Sequence, residues 1–345
     1  MSQDSLVYKS DYSQIFNSHL KKIYLQISDG EKLKSLLERK ISLKSLGELQ
    51  KKGAIYLEFP CLSKRVENFY KKGFSNFRNP LFLNISVYEK EWEKFDFLEK
   101  SSSLYYLKKF ETEIYLEEME KYLEKLKKNS LILDAGSGIG RFSIYFLKKG
   151  HCVYLVDSSK KALSLSFYYL SKTGKKNFNL YLGEVEDLSY FKDNSFDATI
   201  SMEVICYVKN PEKALKELVR VTKKNGFIII SVEAKYGSII YDTNIPLKYF
   251  EATYRNSSIY LKDKLYVNYY TEDSFKSLLK RFNLKILSIV GCHYTAEGIL
   301  DRLVDPKKLK YRNYRDKLKK IEKLCRKDRY LKNLPRAYLG ICIKR

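Results

Sequence analysis

From Ser130 onward the chain alternates short apolar runs with helical patterns, and this rhythm limits its possible folds more than any other feature. SLILDAG (130–136), CVYLVD (152–157), NLYLGEV (179–185), DATISME (197–203), FIIISVE (227–233), LKILSIVG (284–291) and RAYLGICIK (336–344) read as strands. Between them, RFSIYFLKKG, SKKALSLSFYYLSKTG, PEKALKELVRVTKKNG (closed by Gly226) and TEDSFKSLLKRFN carry helical spacing. Strands separated by helices of this length predict an α/β fold: a doubly wound, mostly parallel, seven-stranded Rossmann-like sheet covered on both faces. Such sheets place ligands beyond the carboxyl ends of their strands.

Residues 101–345 form this predicted domain, entered by a helix over about 103–127 whose Glu and Lys residues alternate on a wet face. Residues 1–100 lack a glycine-rich loop and read as a helical and irregular N-terminal extension. Within it, Leu33, Leu36, Leu37, Ile41, Leu43, Leu46 and Leu49 suggest two short helices meeting near Ser42. Two stretches, 236–270 and 291–334, interrupt the strand–helix rhythm. Long insertions over the carboxyl ends are expected to build lids or substrate pockets, here together with part of the N-terminal region.

The informative loop runs Leu133-Asp134-Ala135-Gly136-Ser137-Gly138-Ile139-Gly140-Arg141. Alternate glycines let the backbone turn off a strand and approach a ligand, just where a helix opens with free N–H groups. A dinucleotide loop needs G-x-G-x-x-G, and here the third glycine comes one place early. Asp134 at the strand end would also repel a pyrophosphate; a ligand with a positive amino-acid end suits it better. Asp157 closes the second strand, 23 positions on. It can accept from both hydroxyls of a ribose, or cap the helix beginning near Ser159.

LILDAGSGIGRFS, GHCVYLVDSS and the run from GEVEDLSYF to FIIISVE, in this order and spacing, resemble the class I S-adenosylmethionine-dependent methyltransferases. The likeness covers about residues 103–290 and points to the branch holding ubiquinone/menaquinone-biosynthesis enzymes. It implies S-adenosylmethionine as cofactor, with Asp134, Gly136, Ser137 and Gly138 at its methionine end, and Asp157 with Ser158 at the ribose. It implies Glu184 and Val185 at the adenine, and Ser201, Met202 and Glu203 facing the sulfonium and the acceptor. Glu184 stands where relatives usually carry Asp or Asn. Tyr207 stands where many carry His, so no imidazole is carried over to that point.

Catalytic candidates are therefore Glu203, Tyr207 and His293, the last following the sixth strand on the expected substrate side and readable as a base, a positioning group or a structural residue. His19 and His151 read as surface residues. The sequence has no [DN]-P-P-[YFW] motif, and no proline precedes Cys206, which argues against amino-group methylation of bases by that route and against a cysteine nucleophile at Cys206. No metal-ligand cluster is evident, and six scattered cysteines without a CxxC pair suit a reducing cytoplasm.

Composition bears on partners. The formal net charge is +24, mostly from lysine, with the densest run at 306–332. That run reads as a solvated helical face, a nucleic-acid-facing patch, or a surface for anionic lipid or acidic substrate. No apolar stretch approaches the ~18 residues of a membrane span, and the polar start is unlike a signal peptide. The expected activity is methylation of a small or medium-sized metabolite. The rivals are an RNA or protein methyltransferase using the basic surface, and a module that binds the cofactor without catalysis. The loop spacing disfavours a dehydrogenase.

Overall fold

A computed structural model describes residues 6–9, 31–32, 36, 41–52, 55–72, 80–91, 96–241, 251, 254–255, 258–261 and 265–345. The N-terminal region contains strands β1 (Leu6–Lys9), β2 (Glu31–Lys32) and β3 (Ile55–Glu58) and helices α1 (Leu43–Lys51), α2 (Lys64–Lys72) and α3 (Pro80–Glu91). The strands join in the order β2-β1-β3, all antiparallel, which adds a small sheet to the helices expected there. Ser42 accepts from the Ser45 N–H and so starts α1, the second of the two expected short helices. Apart from Leu36 and Ile41, the first of them lies outside the described residues, as does His19.

Helix α4 (Tyr105–Leu123) leads into the main domain. Next come β4 (Leu131–Ala135), α5 (Arg141–Lys148), β5 (Cys152–Asp157), α6 (Lys160–Ser171), β6 (Phe178–Leu182), β7 (Phe196–Met202) and α7 (Pro211–Val221). They are followed by β8 (Thr222–Glu233), α8 (Lys235–Tyr241), β9 (Ser258–Leu261), β10 (Leu265–Asn268), α9 (Glu272–Arg281), β11 (Leu284–Cys292), α10 (Arg312–Lys327) and β12 (Ala337–Lys344). Seven strands form one sheet in the order β11-β12-β8-β7-β4-β5-β6. β12 is antiparallel to both its neighbours, and the pairs from β8 to β6 are parallel. All seven expected strands are present, and the order reverses beside β4, so its carboxyl end opens the crevice.

Local chemistry explains most boundaries. Ser159 caps α6, Asn210 caps α7 ahead of Pro211, and Thr271 with Ser274 makes a capping box on α9. The expected helix to Gly226 is corrected: α7 stops at Val221. Thr222 is buried and extended there, its hydroxyl 2.9 Å from that of Thr199, and it already pairs with Phe196. The register then shifts by residues 223–226, with Asn225 at φ 62°.

The insertion 236–270 holds α8 and the β9–β10 hairpin; the rest of it lies largely outside the described residues. Asn268 on β10 donates to the carbonyls of Cys206 and Val208 and so braces the chain that follows β7. In the basic run, α10 packs against α4 through Arg315–Glu113 (2.9 Å), Lys323–Glu117 (2.6 Å) and Arg326–Glu118. Lys317, Lys320 and Lys327 face solvent.

Candidate active site

The glycine loop takes the shape its composition requires. Gly136, Gly138 and Gly140 all have positive φ (80°, 53° and 84°). A Cβ on Gly136 would lie 2.3 Å from a methyl of Val204. The N–H groups of Gly136 and Ser137 donate to the Val156 carbonyl, locking the loop against β5, and α5 starts at Arg141. Asp157 accepts from the Gly138 N–H at 2.8 Å and from the Ser159 N–H at 2.9 Å. It is not the cap of α6, since Ser159 has that place, so its carboxylate joins the loop to the end of β5.

Asp134 is buried and Asp157 half-buried. Burial pushes Asp134 up to about 7, against the opposing Ser143 hydroxyl, which donates to it at 2.6 Å. Burial likewise raises Asp157 to about 6, against two backbone N–H donors. Ser201 does not line the cavity; it is buried and donates to the Ala135 carbonyl at 3.0 Å, joining the ends of β4 and β7.

A cavity of about 410 Å³ opens at this point. Asp134, Gly136, Ser137, Gly138, Asp157, Ser158, Glu184, Val185, Met202, Glu203 and Tyr207 line it. Leu81, Asn84 and Phe97 contribute from the N-terminal region, and Leu104 from just before α4. Part of the N-terminal region was expected in the acceptor pocket, but the sequence singled out none of these four by residue.

Around Glu203 the cavity carries a charged wall whose partners, Arg141, Arg336 and Lys108, the sequence did not single out. Glu203, in left-handed backbone at φ 58°, accepts from Arg141 at 3.0 Å and from the Tyr115 hydroxyl at 3.0 Å. Arg336 lies 3.6 Å from the same carboxylate and donates to Glu233 at 3.2 Å. Burial alone would raise the Glu203 carboxyl, but Arg141 and Arg336 outweigh it and hold the group well below the usual range. Lys108 bridges Glu111 (2.9 Å) and Glu297 (2.8 Å). Glu111 is fully buried, so the expected all-wet polar face of α4 is corrected: its charges turn inward here because each finds a partner.

His293 is absent from the cavity lining. It is completely buried behind Glu203, its Nδ1 4.0 Å from that carboxylate and its Nε2 3.3 Å from the Glu111 carbonyl, and burial lowers its pKa to about 4. Tyr207 lines the cavity, but its hydroxyl donates to Glu233 at 2.8 Å. His151, read as a surface residue, is buried beside Phe146.

The site fits a cofactor with an amino-acid end, a ribose and a base. Two buried polar atoms on the lining, Ser137 Oγ and Glu184 Oε2, have no hydrogen-bond partner, and the loop presents carboxylates where a phosphate would need donors. Residues 133–230 match the family model described as a methyltransferase domain. Sheet order, glycine loop and acid pair define the class, and the domain over these residues belongs to the class I S-adenosylmethionine-dependent methyltransferases. The same residues resemble ubiquinone-biosynthesis O-methyltransferases, and the cofactor of this class is S-adenosylmethionine.

An uncharacterised methyltransferase of Schizosaccharomyces pombe is 33% identical over 115 residues, 31% of this chain and 41% of its own length. A ubiquinone biosynthesis O-methyltransferase of Rickettsia conorii is 30% identical over 123 residues, 36% of this chain and 40% of its own. The chain thus spans less than half the length of these relatives. A solved phosphoethanolamine N-methyltransferase of Haemonchus contortus, in complex with S-adenosyl-L-methionine, aligns with a TM-score of 0.49 at 14% identity. That alignment covers 100% of this chain and 78% of the other.

Proposed function

We propose that the chain transfers the methyl group of S-adenosylmethionine to a small or medium-sized metabolite by in-line displacement. The observation that carries this reading is a single cavity that joins the glycine loop and its two acids to a charged wall under cover of Leu81, Asn84, Phe97 and Leu104. A cavity of about 410 Å³ that must also take the cofactor suits a small acceptor.

The cofactor supplies an activated methyl on a good leaving group, which leaves the protein to position the acceptor and exclude water. Asp134, with the loop Gly136-Ser137-Gly138, holds the amino-acid end, and Asp157 with Ser158 holds the ribose. Glu184 and Val185 hold the base, while Met202 lines the reacting region. Ser201 acts through the backbone by fixing two strand ends. Glu203 is a fixed negative charge, because two guanidinium groups keep it ionised and unfit to take a proton near neutral pH. Tyr207 contributes its ring, and His293 supports Glu203 from behind.

Calorimetric titration with S-adenosylmethionine, S-adenosylhomocysteine and NADH tests the reading. Micromolar binding of both adenosyl ligands, weakened at least about tenfold by Asp157→Ala, is the expected result. NADH binding without adenosyl binding would overturn it. Labelled methyl transfer in an acceptor screen then separates an enzyme from a non-catalytic binding module. The outward lysines of α10 favour a second reading, an RNA acceptor, which would show as methylated RNA and binding that falls steeply with salt.

A further inference from the structure

The N-terminal region reaches the base end of the cavity through one short strap. Beside the edge of β6, the Leu182 N–H donates to the Pro60 carbonyl at 2.9 Å, and the Leu62 N–H donates to the Leu182 carbonyl at 2.7 Å. Residues 60–62 thus add themselves to the sheet edge, parallel to β6 at Cys61. Gly183 permits the approach, since a Cβ there would already lie 3.3 Å from that of Leu62.

The chain then turns into α2 at Ser63, whose carbonyl accepts from the Glu67 N–H. The Ser63 hydroxyl donates to Glu184 Oε1 at 2.8 Å, and Arg65 Nη1 lies 3.3 Å from Oε2. Ser63 is 1% exposed and Glu184 4% exposed. Oε2 has no hydrogen-bond donor although Glu184 lines the cavity. Glu186, a second buried acid, lines the cavity beside it.

We propose that Ser63 and Arg65 are positioning residues that set the purine specificity of the cofactor site, an inference that rests on the cofactor reading above. Glutamate has one more rotatable bond than aspartate, so a glutamate at this place needs external fixing to present an oxygen at a defined point. Ser63 occupies one oxygen and Arg65 supplies the counter-charge. Oε2, without a hydrogen-bond donor of its own, keeps acceptor capacity on a residue that lines the cavity. A carboxylate held in this way accepts from the 6-amino group of adenine and repels the 6-oxo group of hypoxanthine, so it discriminates by attraction to one and repulsion of the other. The N-terminal region is then part of the cofactor site and not an appendage to it.

The test compares S-adenosylhomocysteine with its inosine counterpart by calorimetry on the full chain and on Arg65→Ala, Arg65→Lys and Ser63→Ala. Arg65 is 40% exposed as a side chain, so its removal leaves the core intact, and a melting curve checks each variant. The expected result is a wild-type preference for the adenosine ligand of at least about tenfold. Arg65→Ala and Ser63→Ala would weaken that ligand by about tenfold and the inosine ligand by less than about twofold, with Arg65→Lys restoring part of the preference. Equal loss for both ligands, or no loss, would overturn the proposal by reducing the strap to a structural brace. Wild-type protein that binds neither ligand would instead defeat the cofactor reading on which it depends.

Discussion

At the scale of single residues, the two loop acids sit at an energetic cost that a bound ligand would relieve. Asp134 rises from 3.8 to about 7 through burial, so between those values the folded state holds a proton that the unfolded chain has lost. Stability of the free protein therefore falls as pH rises through that window. Asp134→Asn is expected to raise the melting temperature of the free protein at pH 8 and leave it nearly unchanged at pH 3.5, while abolishing cofactor binding. Fluorimetric melts at both values check the sign. Asp157, raised to about 6, adds a matching effect on binding: affinity for S-adenosylhomocysteine should drop as pH falls from 8 to 5.5, because the protonated acids lose acceptor strength. A flat pH profile would show that these acids do not hold the ligand. Glu203→Gln leaves Arg141 and Arg336 facing a neutral amide, and denaturant unfolding should report a loss of about 2–4 kcal/mol.

Among elements, the loop between β4 and α5 has the least freedom to change. Gly136→Ala forces a side chain into left-handed backbone and against Val204. The expected outcome is at least about 1–3 kcal/mol of lost stability and a cofactor affinity too weak to measure by calorimetry. The same substitution at Gly174, also at positive φ but with nothing within 4 Å of a Cβ, should cost about 1 kcal/mol and leave binding intact. Comparing the two variants separates backbone strain from close approach. The starts of α6, α7 and α9 were readable because N-caps are local chemistry: Ser159, Asn210 and Thr271 stand in sequence where they act. The end of α7 was misread because TKKNG is locally compatible with a helix, and only pairing of Thr222 with the neighbouring strand decides for extended backbone.

For the whole molecule, the positive charge divides into two populations. Arg315, Lys323 and Arg326 are used against Glu113, Glu117 and Glu118 to seat α10 on α4, whereas Lys317, Lys320 and Lys327 point outward. Replacing those three with glutamate should leave turnover of a small acceptor within about twofold, since surface charges lie outside the cavity and contribute little to stability. Turnover that collapses on this change, and recovers at low salt in the parent protein only, would favour a polyanionic acceptor.

The sequence by itself determined the alternation of strands and helices, the glycine loop and the position of both acids. Each is a property of neighbouring residues: periodicity places apolar side chains on one face, and glycine takes up left-handed backbone without strain. Tertiary structure alone decided the rest of the site. Lys108, Arg141, Glu297 and Arg336 come from four separated places in the chain to meet Glu203, which the sequence had marked, and no local pattern marks residues that meet only after folding. His293 was a candidate base by position, yet packing behind Glu203 removes it from the cavity and from protonation near neutral pH. Ser63 and Arg65 lie more than a hundred residues before Glu184 and reach it because a free sheet edge accepts any segment that can pair with it.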